Sequence, residues 1–227
     1  MNYSVIFDMD GTLFQTDTIL ELSLEETFDY LRGVNQWEGE TPLQQYREIM
    51  GVPLPVVWNT LMPDHSDSIR REANAYLQEK LIANIRSGKG QLYPGVHELL
   101  TDLKRKGRSL YIASNGEVEY LQAIVEHYQL DTWVTRTFSI RHVETQSKTD
   151  LVAHILQAYD IRDAAVVGDR LSDIQAAKKN GLLSISCRFD FAQEEELREA
   201  DYVVNDLLEV RDYIDEAASL DKRGAVR

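Results

Sequence analysis

The stretch "VIFDMDGTLF", residues 5–14, decides how the chain begins to fold. Its apolar residues lead directly into two carboxylates, Asp8 and Asp10, which are one residue apart. A short apolar run that ends at a turn signal such as Asp10–Gly11 is typical of a strand buried on both faces. Because two like charges this close repel each other, we expect a cation to compensate them where the strand ends.

From Gly90 onward the chain alternates short apolar runs with amphipathic segments. The helix predicted in "EVEYLQAIVEHYQL" is expected to bury one face, made of Val118, Leu121, Ile124 and Tyr128. The predicted strands are "SLYIAS", "VTRTFS", "AAVVGD", "LLSISC" and "DYVV". Nearly all-apolar strands that alternate with helices indicate an α/β fold with a parallel, Rossmann-like sheet covered on both faces.

The segment between Thr16 and Lys89 contains no strand pattern. Two sets of apolar residues recur in it at helical spacing. They are Leu20, Leu24, Phe28 and Leu31 in the first set, and Ala73, Leu77, Leu81 and Ile85 in the second. We therefore expect two domains, an α/β core formed by residues 1–15 and 90–227 and an all-helical insertion formed by residues 16–89.

Composition limits the partners and the compartment. The 227 residues include 24 basic and 38 acidic ones, a net charge of −14, which argues against nucleic-acid polymers and anionic membranes as partners. No apolar run approaches the roughly 20 residues of a membrane span, and the first residues lack the features of a signal peptide. The single cysteine, Cys187, lies in a predicted strand and is expected to be a buried structural thiol. These features predict a soluble, cytoplasmic protein; they do not indicate its oligomeric state.

Polar residues follow the predicted strands at four places. Ligands of parallel α/β sheets bind at the carboxyl ends of the strands, so these four clusters are expected to converge. They are Asp8 with Asp10, then Ser114 with Asn115 and Gly116, then Lys148, and finally Asp169 with Asp173.

The chemistry of these residues is consistent with a magnesium site. Asp8, Asp169 and Asp173 would supply an all-oxygen ligand set, which suits Mg²⁺, and no His/Cys cluster favours zinc. A carboxylate beside Mg²⁺ can attack phosphorus and form an aspartyl-phosphate, and a neighbouring carboxyl can protonate the leaving oxygen. Lys148, Ser114 and the backbone N–H groups near Asn115 would neutralise and position the phosphoryl group.

Asp173 also has a structural interpretation. Ser172 and Gln175 fit a capping box, so Ser172 is expected to cap the helix that follows "AAVVGD". An acidic residue in the first turn of a helix is favoured by the helix dipole, so Asp173 alone would not indicate a functional site.

The motifs "DMDGTL", "SNG", Lys148 and "GDRLSD", in this order, resemble the four motifs of the haloacid dehalogenase-like hydrolase superfamily. The helical insertion resembles its C1-type cap. Within the superfamily the chain looks most like the phosphoglycolate phosphatase and β-phosphoglucomutase group. The resemblance implies a Mg²⁺-dependent phosphatase that acts on a small phosphorylated metabolite.

The resemblance also implies a role for each site residue. Asp8 would be the nucleophile, and Asp10 the general acid/base that also offers its backbone carbonyl to Mg²⁺. Asp169 would ligate the metal. The remaining implied roles are phosphate binding by Ser114, Asn115 and Gly116, charge neutralisation by Lys148, and support of the metal shell and of Lys148 by Asp173.

Two alternatives stay open. A sugar-phosphate mutase is favoured by "TDT" at residues 16–18, but mutases usually have a histidine after this segment and a glycine, a serine and an arginine where this chain has "MGVPLP" at residues 50–55. "SKTD" at residues 147–150, where many relatives have Lys-Pro, leaves the subgroup undecided. A non-catalytic binding protein ranks last because no catalytic position is lost. The sequence does not name the phosphomonoester or the cap residues that contact it.

Overall fold

Six parallel strands form a single sheet in the computed structural model, which describes residues 3–49, 52 and 54–224. The sheet order is β3-β2-β1-β4-β5-β6, so β1 lies between β2 and β4. The strands are β1 (Ser4–Phe7), β2 (Ser109–Ser114), β3 (Arg136–Ser139), β4 (Ala164–Gly168), β5 (Leu183–Cys187) and β6 (Tyr202–Val204). This sheet confirms the predicted α/β class.

Both faces of the sheet are buried, as the apolar strands predicted. Val5 and Phe7 of β1 belong to one hydrophobic cluster, whereas Ile6 between them belongs to a second cluster on the other face. This alternation follows from the two-residue period of a strand. The predicted structural thiol, Cys187 at the end of β5, is fully buried.

Six helices follow β1 and its insertion and flank the sheet. They are α5 (Val96–Arg105), α6 (Val118–His127), α7 (Lys148–Ala158), α8 (Leu171–Lys179), α9 (Glu194–Leu197) and α10 (Val210–Gly224). The four-residue α9 is too short to produce a periodic pattern, and the sequence did not predict it. None of the helices in the described part of the chain is long and apolar enough to cross a bilayer.

The insertion between β1 and α5 contains helices joined by turns and no strand in its described residues, which are 16–49, 52 and 54–89. Its two long helices pack against each other, and both predicted apolar faces are buried. The hydrophobic cluster they form continues into the core without a break. The insertion comprises α1 (Asp17–Gly33), α2 (Leu43–Glu48), α3 (Leu54–Leu61) and α4 (Asp67–Arg86).

The buried face of α6 differs from the predicted one. Val118 is 40% exposed, whereas Tyr120 is only 4% exposed. Val118 is the first residue of α6, and the buried residues of the helix begin at Tyr120. The buried face is shifted toward Tyr120, Leu121 and Ile124, which directs Tyr120 toward the end of β1.

Replacement of Leu77 by alanine tests the packing of the insertion. Leu77 of α4 is fully buried, so Leu77→Ala should lower the free energy of unfolding by about 2–5 kcal/mol through lost burial and a residual cavity. The matched control is Leu22→Ala on α1, where the leucine is 38% exposed and the expected change is below about 0.5 kcal/mol. Urea unfolding of both variants measures the difference; equal losses would contradict the packing described.

Candidate active site

The four predicted polar clusters meet at the carboxyl edge of the sheet. Asp8 follows β1, Ser114 ends β2 and Asp169 follows β4. Lys148 is the first residue of α7, the helix that follows β3. The adjacency of β2, β1 and β4 in the sheet brings these residues together from distant parts of the chain.

Lys148 bridges two of the carboxylates. Its Nζ atom lies 2.7 Å from Asp8 Oδ1 and 2.5 Å from Asp173 Oδ1. All three side chains are buried, so removal of the lysine would leave two carboxylates in a region of low dielectric without compensation. Ser147 Oγ accepts a hydrogen bond from Asp150 N at the start of α7 and thereby helps to fix the position of Lys148.

Burial and mutual repulsion change the proton affinity of this cluster. Burial raises the pKa of Asp8 to about 7; Asp173 and Asp10 add to this shift, and Lys148 opposes it. Burial, together with repulsion from Asp8 and Asp173, holds the pKa of Asp169 well above its usual range. Burial alone would lower the pKa of Lys148, but the charges of Asp173 and Asp8 outweigh it and raise that pKa.

The carboxylate cluster fits a divalent cation. Asp8, Asp169 and Asp173 each offer an oxygen, and these atoms lie within 4.8 Å of one another. One ammonium group does not balance three buried carboxylates, and oxygen-only ligation suits Mg²⁺. Asp173 is already engaged through both oxygens, with Lys148 on Oδ1 and the N–H of Arg170, 3.2 Å away, on Oδ2. Asp8 and Asp169 are therefore the better direct ligands.

Two glycines allow the carboxylates to approach the backbone closely. A Cβ atom on Gly168 would lie 2.1 Å from Asp173 Cγ, and one on Gly11 would lie 2.4 Å from Asp169 Oδ2. Gly11 also has a φ of 73°, which disfavours any other residue. Asp-Gly in "DMDGTL" thus forms a turn, and that turn also makes room for Asp169.

Asp10 points away from the carboxylate cluster. Its Oδ1 accepts hydrogen bonds from Thr16 Oγ1 and from the Tyr120 hydroxyl, each 2.5 Å long. Its Oδ2 lies 3.5 Å from Ser114 Oγ. Burial raises the pKa of Asp10, while the hydrogen bonds from Thr16 and Tyr120 oppose that shift. The sequence did not indicate Tyr120, because no motif contains it and because it lies outside the predicted apolar face of its helix.

The loop after β2 is held by its own hydrogen bonds. Ser114 Oγ accepts a hydrogen bond from Gly116 N at 3.0 Å, and Ser139 Oγ donates one to the carbonyl of Gly116 at 2.6 Å. Asn115 lies between Ser114 and Gly116 and is partly exposed. The sequence did not indicate Ser139, which lies at the end of β3 and fixes the loop from the neighbouring strand.

The predicted capping role of Ser172 is wrong. Helix α8 begins at Leu171, two residues earlier than that role requires, and Asp173 accepts the hydrogen bond from Arg170 N. Glu196 Oε2 of α9 accepts a second one from Leu171 N at 2.8 Å. Asp173 therefore makes two kinds of contact. One oxygen accepts a hydrogen bond at the start of α8, and the other contacts Lys148.

Residues 5–186 match the sequence profile of the family described as haloacid dehalogenase-like hydrolase. The chain belongs to this family. It is 24% identical over 199 residues to a 5'-nucleotidase from Pseudomonas aeruginosa, with 86% of each chain covered. It is 23% identical to a phosphoglycolate phosphatase from Vibrio vulnificus, over 92% of this chain and 95% of that protein.

Solved structures agree with this assignment. The chain is similar to a predicted phosphatase from Clostridium acetobutylicum, with a TM-score of 0.78, 25% identity, and coverage of 95% of this chain and 100% of that one. Together with the sheet described above, these comparisons confirm the expected fold and family. The chain is therefore assigned as a haloacid dehalogenase-like hydrolase.

A methyl group at residue 168 tests the close approach of Asp173. Gly168→Ala forces Asp173 or the end of β4 to move, so we expect a loss of about 1–3 kcal/mol in the free energy of unfolding. Gly33→Ala is the control, because a Cβ there meets no atom within 4 Å, and stability should be unchanged or slightly higher. Thermal unfolding measures both variants. Equal changes in the free energy of unfolding would contradict the close approach of Asp173 to Gly168.

Proposed function

We propose that this hydrolase is a Mg²⁺-dependent phosphatase that hydrolyses a small phosphomonoester through an aspartyl-phosphate on Asp8. The observation that carries the proposal is the position of Lys148, whose Nζ contacts both Asp8 and Asp173. An ordinary surface lysine would not be buried between two carboxylates, whereas phosphoryl transfer requires a fixed positive charge beside the nucleophile.

In the first step Asp8 acts as the nucleophile. Lys148 holds Asp8 Oδ1, so the other carboxylate oxygen is available to attack phosphorus. A bond forms between that oxygen and phosphorus as the bond from phosphorus to the ester oxygen breaks. Ser114 and the N–H groups of the 114–116 loop position the phosphoryl oxygens. Asp8, Asp169 and the backbone carbonyl of Asp10 would hold Mg²⁺, which would supply positive charge to neutralise the transferred group.

Asp10 moves the protons in both steps. As an acid it gives its proton to the leaving ester oxygen, which departs as an alcohol. As the resulting carboxylate it takes a proton from the water that attacks the phosphorus of the aspartyl-phosphate. Inorganic phosphate leaves, and Asp8 and Asp10 return to their starting states.

We further propose that residues 16–89 act as a cap over this site. Its helices α3 and α4 share a pocket of about 320 Å³ with Arg141 of the core, and Trp58, Arg71 and Asn74 line it from the insertion. Closure of a cap excludes water during phosphoryl transfer and selects the leaving group.

The relatives named above support a small phosphorylated metabolite as substrate, with phosphoglycolate and nucleoside monophosphates as candidates. The buried, unpaired Cys187 is consistent with the cytoplasm.

A sugar-phosphate mutase is the second candidate. The hydrogen bond from Thr16 to Asp10 gives the "TDT" segment a place at the site, which is the observation in its favour. The segment "MGVPLP", in which this chain differs from mutases, includes Met50, Gly51 and Pro53. These three residues lie outside the described residues. Release of inorganic phosphate distinguishes the candidates, because a mutase returns the phosphoryl group to its substrate.

Replacement of the nucleophile tests the proposal most directly. Asp8→Asn should reduce phosphate release from a panel of phosphomonoesters by more than about 10³-fold, because an amide does not form the aspartyl-phosphate. The variant should stay folded, since Lys148 keeps its contact with Asp173. The control is Asp212→Asn, at a side chain that is 81% exposed, which should retain turnover. Undiminished turnover in Asp8→Asn would exclude Asp8 as the nucleophile.

Metal binding is tested separately by thermal unfolding. Mg²⁺ at about 100 times its Kd should raise Tm by about 5–10 °C, because it binds only the folded cluster. Asp169→Asn should abolish most of that rise. Without metal the same variant should melt at the wild-type temperature or higher, since the substitution removes repulsion with Asp8 and Asp173. Asp212→Asn should keep the full rise; an unchanged rise in Asp169→Asn would exclude Asp169 as a ligand.

A further inference from the structure

The hydrogen bonds of Asp10 come from two separate elements. Thr16 precedes α1, where the chain enters the insertion, and Tyr120 lies on α6 of the core. Both hydroxyls donate to the same atom, Asp10 Oδ1, at 2.5 Å. This arrangement fixes the rotation of the carboxyl group, because Oδ1 is engaged from two directions.

The other oxygen of Asp10 faces Ser114, the residue proposed to bind phosphate. Oδ2 lies 3.5 Å from Ser114 Oγ, a long contact, and Ser114 already accepts a hydrogen bond from Gly116 N. An oxygen that accepts two hydrogen bonds has little capacity to carry a proton of its own. The acidic proton of Asp10 is therefore confined to Oδ2, the oxygen on the side of Ser114.

We propose that Tyr120 is a positioning residue for leaving-group protonation, because its hydroxyl holds Asp10 Oδ1 and keeps the proton-bearing Oδ2 directed at the ester oxygen. The proposal rests on the proposed function and adds a residue to it. Tyr120 does not contact phosphorus, and its effect is exerted through Asp10. The helix suits this task, since Tyr120 is buried and α6 packs against α4 and β3, which leaves the ring little freedom.

A purely structural role for Tyr120 makes a different prediction. A buried hydroxyl needs a partner, so the contact with Asp10 would then serve only to satisfy both groups. In that case loss of the hydroxyl would slow every substrate equally. Loss of positioning would instead slow those substrates whose leaving group must be protonated as it departs.

The test compares two esters of similar size, benzyl phosphate and 4-nitrophenyl phosphate. Benzyl alcohol needs a proton to leave, whereas 4-nitrophenolate leaves without one. In Tyr120→Phe, kcat/KM for benzyl phosphate should fall about 10- to 100-fold, and kcat/KM for 4-nitrophenyl phosphate less than about threefold. The ratio kcat/KM is the suitable quantity because it reports only the steps up to departure of the leaving group.

The controls separate folding, packing and positioning. Retained hydrolysis of 4-nitrophenyl phosphate shows that Tyr120→Phe is folded. Tyr128→Phe removes a buried hydroxyl that has no hydrogen-bond partner among the described residues, and it should leave both values unchanged. Thr16→Val removes the second donor to Oδ1 and should reproduce the selective loss.

Two results have distinct meanings. Equal losses on both esters in Tyr120→Phe, or no loss on either, would overturn the positioning role of Tyr120 and leave Asp8 chemistry untouched. Phosphate release that Asp8→Asn does not diminish would overturn the proposed function itself. The two failures are therefore distinguishable within one set of assays.

Discussion

The buried contact of Lys148 with Asp8 and Asp173 is the constraint on which the rest of the site depends. Three carboxylates at the carboxyl edge of the sheet repel one another, and one ammonium group offsets only part of that repulsion. Burial first, and repulsion between the carboxylates second, raise the pKa values of Asp8 and Asp169. Such a cluster favours binding of a divalent cation, because a cation brings positive charge to it.

Several other features follow from the need to place these charges. The sheet order brings the ends of β1, β2 and β4 side by side, and Gly11 and Gly168 let Asp169 and Asp173 pack against backbone. Asp173 caps α8 with one oxygen and holds Lys148 with the other. A substitution at any of these positions changes both stability and electrostatics, so fold and site cannot be varied independently here.

Asp10 is held in a different way from Asp8. Neutral hydroxyl donors, not an ammonium group, bind its Oδ1, and they come from both sides of the boundary between the core and the insertion. This separates the two tasks that a pair of neighbouring carboxylates must perform. In the proposed mechanism the nucleophile Asp8 would be kept beside positive charge, and the acid/base Asp10 would be kept in one orientation. The difference in environment gives chemically identical side chains different roles.

The amino-acid sequence by itself predicted the α/β class, the helical insertion and the eight candidate residues that the fold brings to the carboxyl edge of the sheet. These rest on local signals: apolar runs, helical spacing, and polar residues that follow strands. Tertiary structure alone decided that Tyr120 and Ser139 belong to the site, that Val118 is exposed and that Asp173 replaces Ser172 in capping α8. Each of these depends on which neighbour an element packs against, and periodicity within one segment does not contain that information.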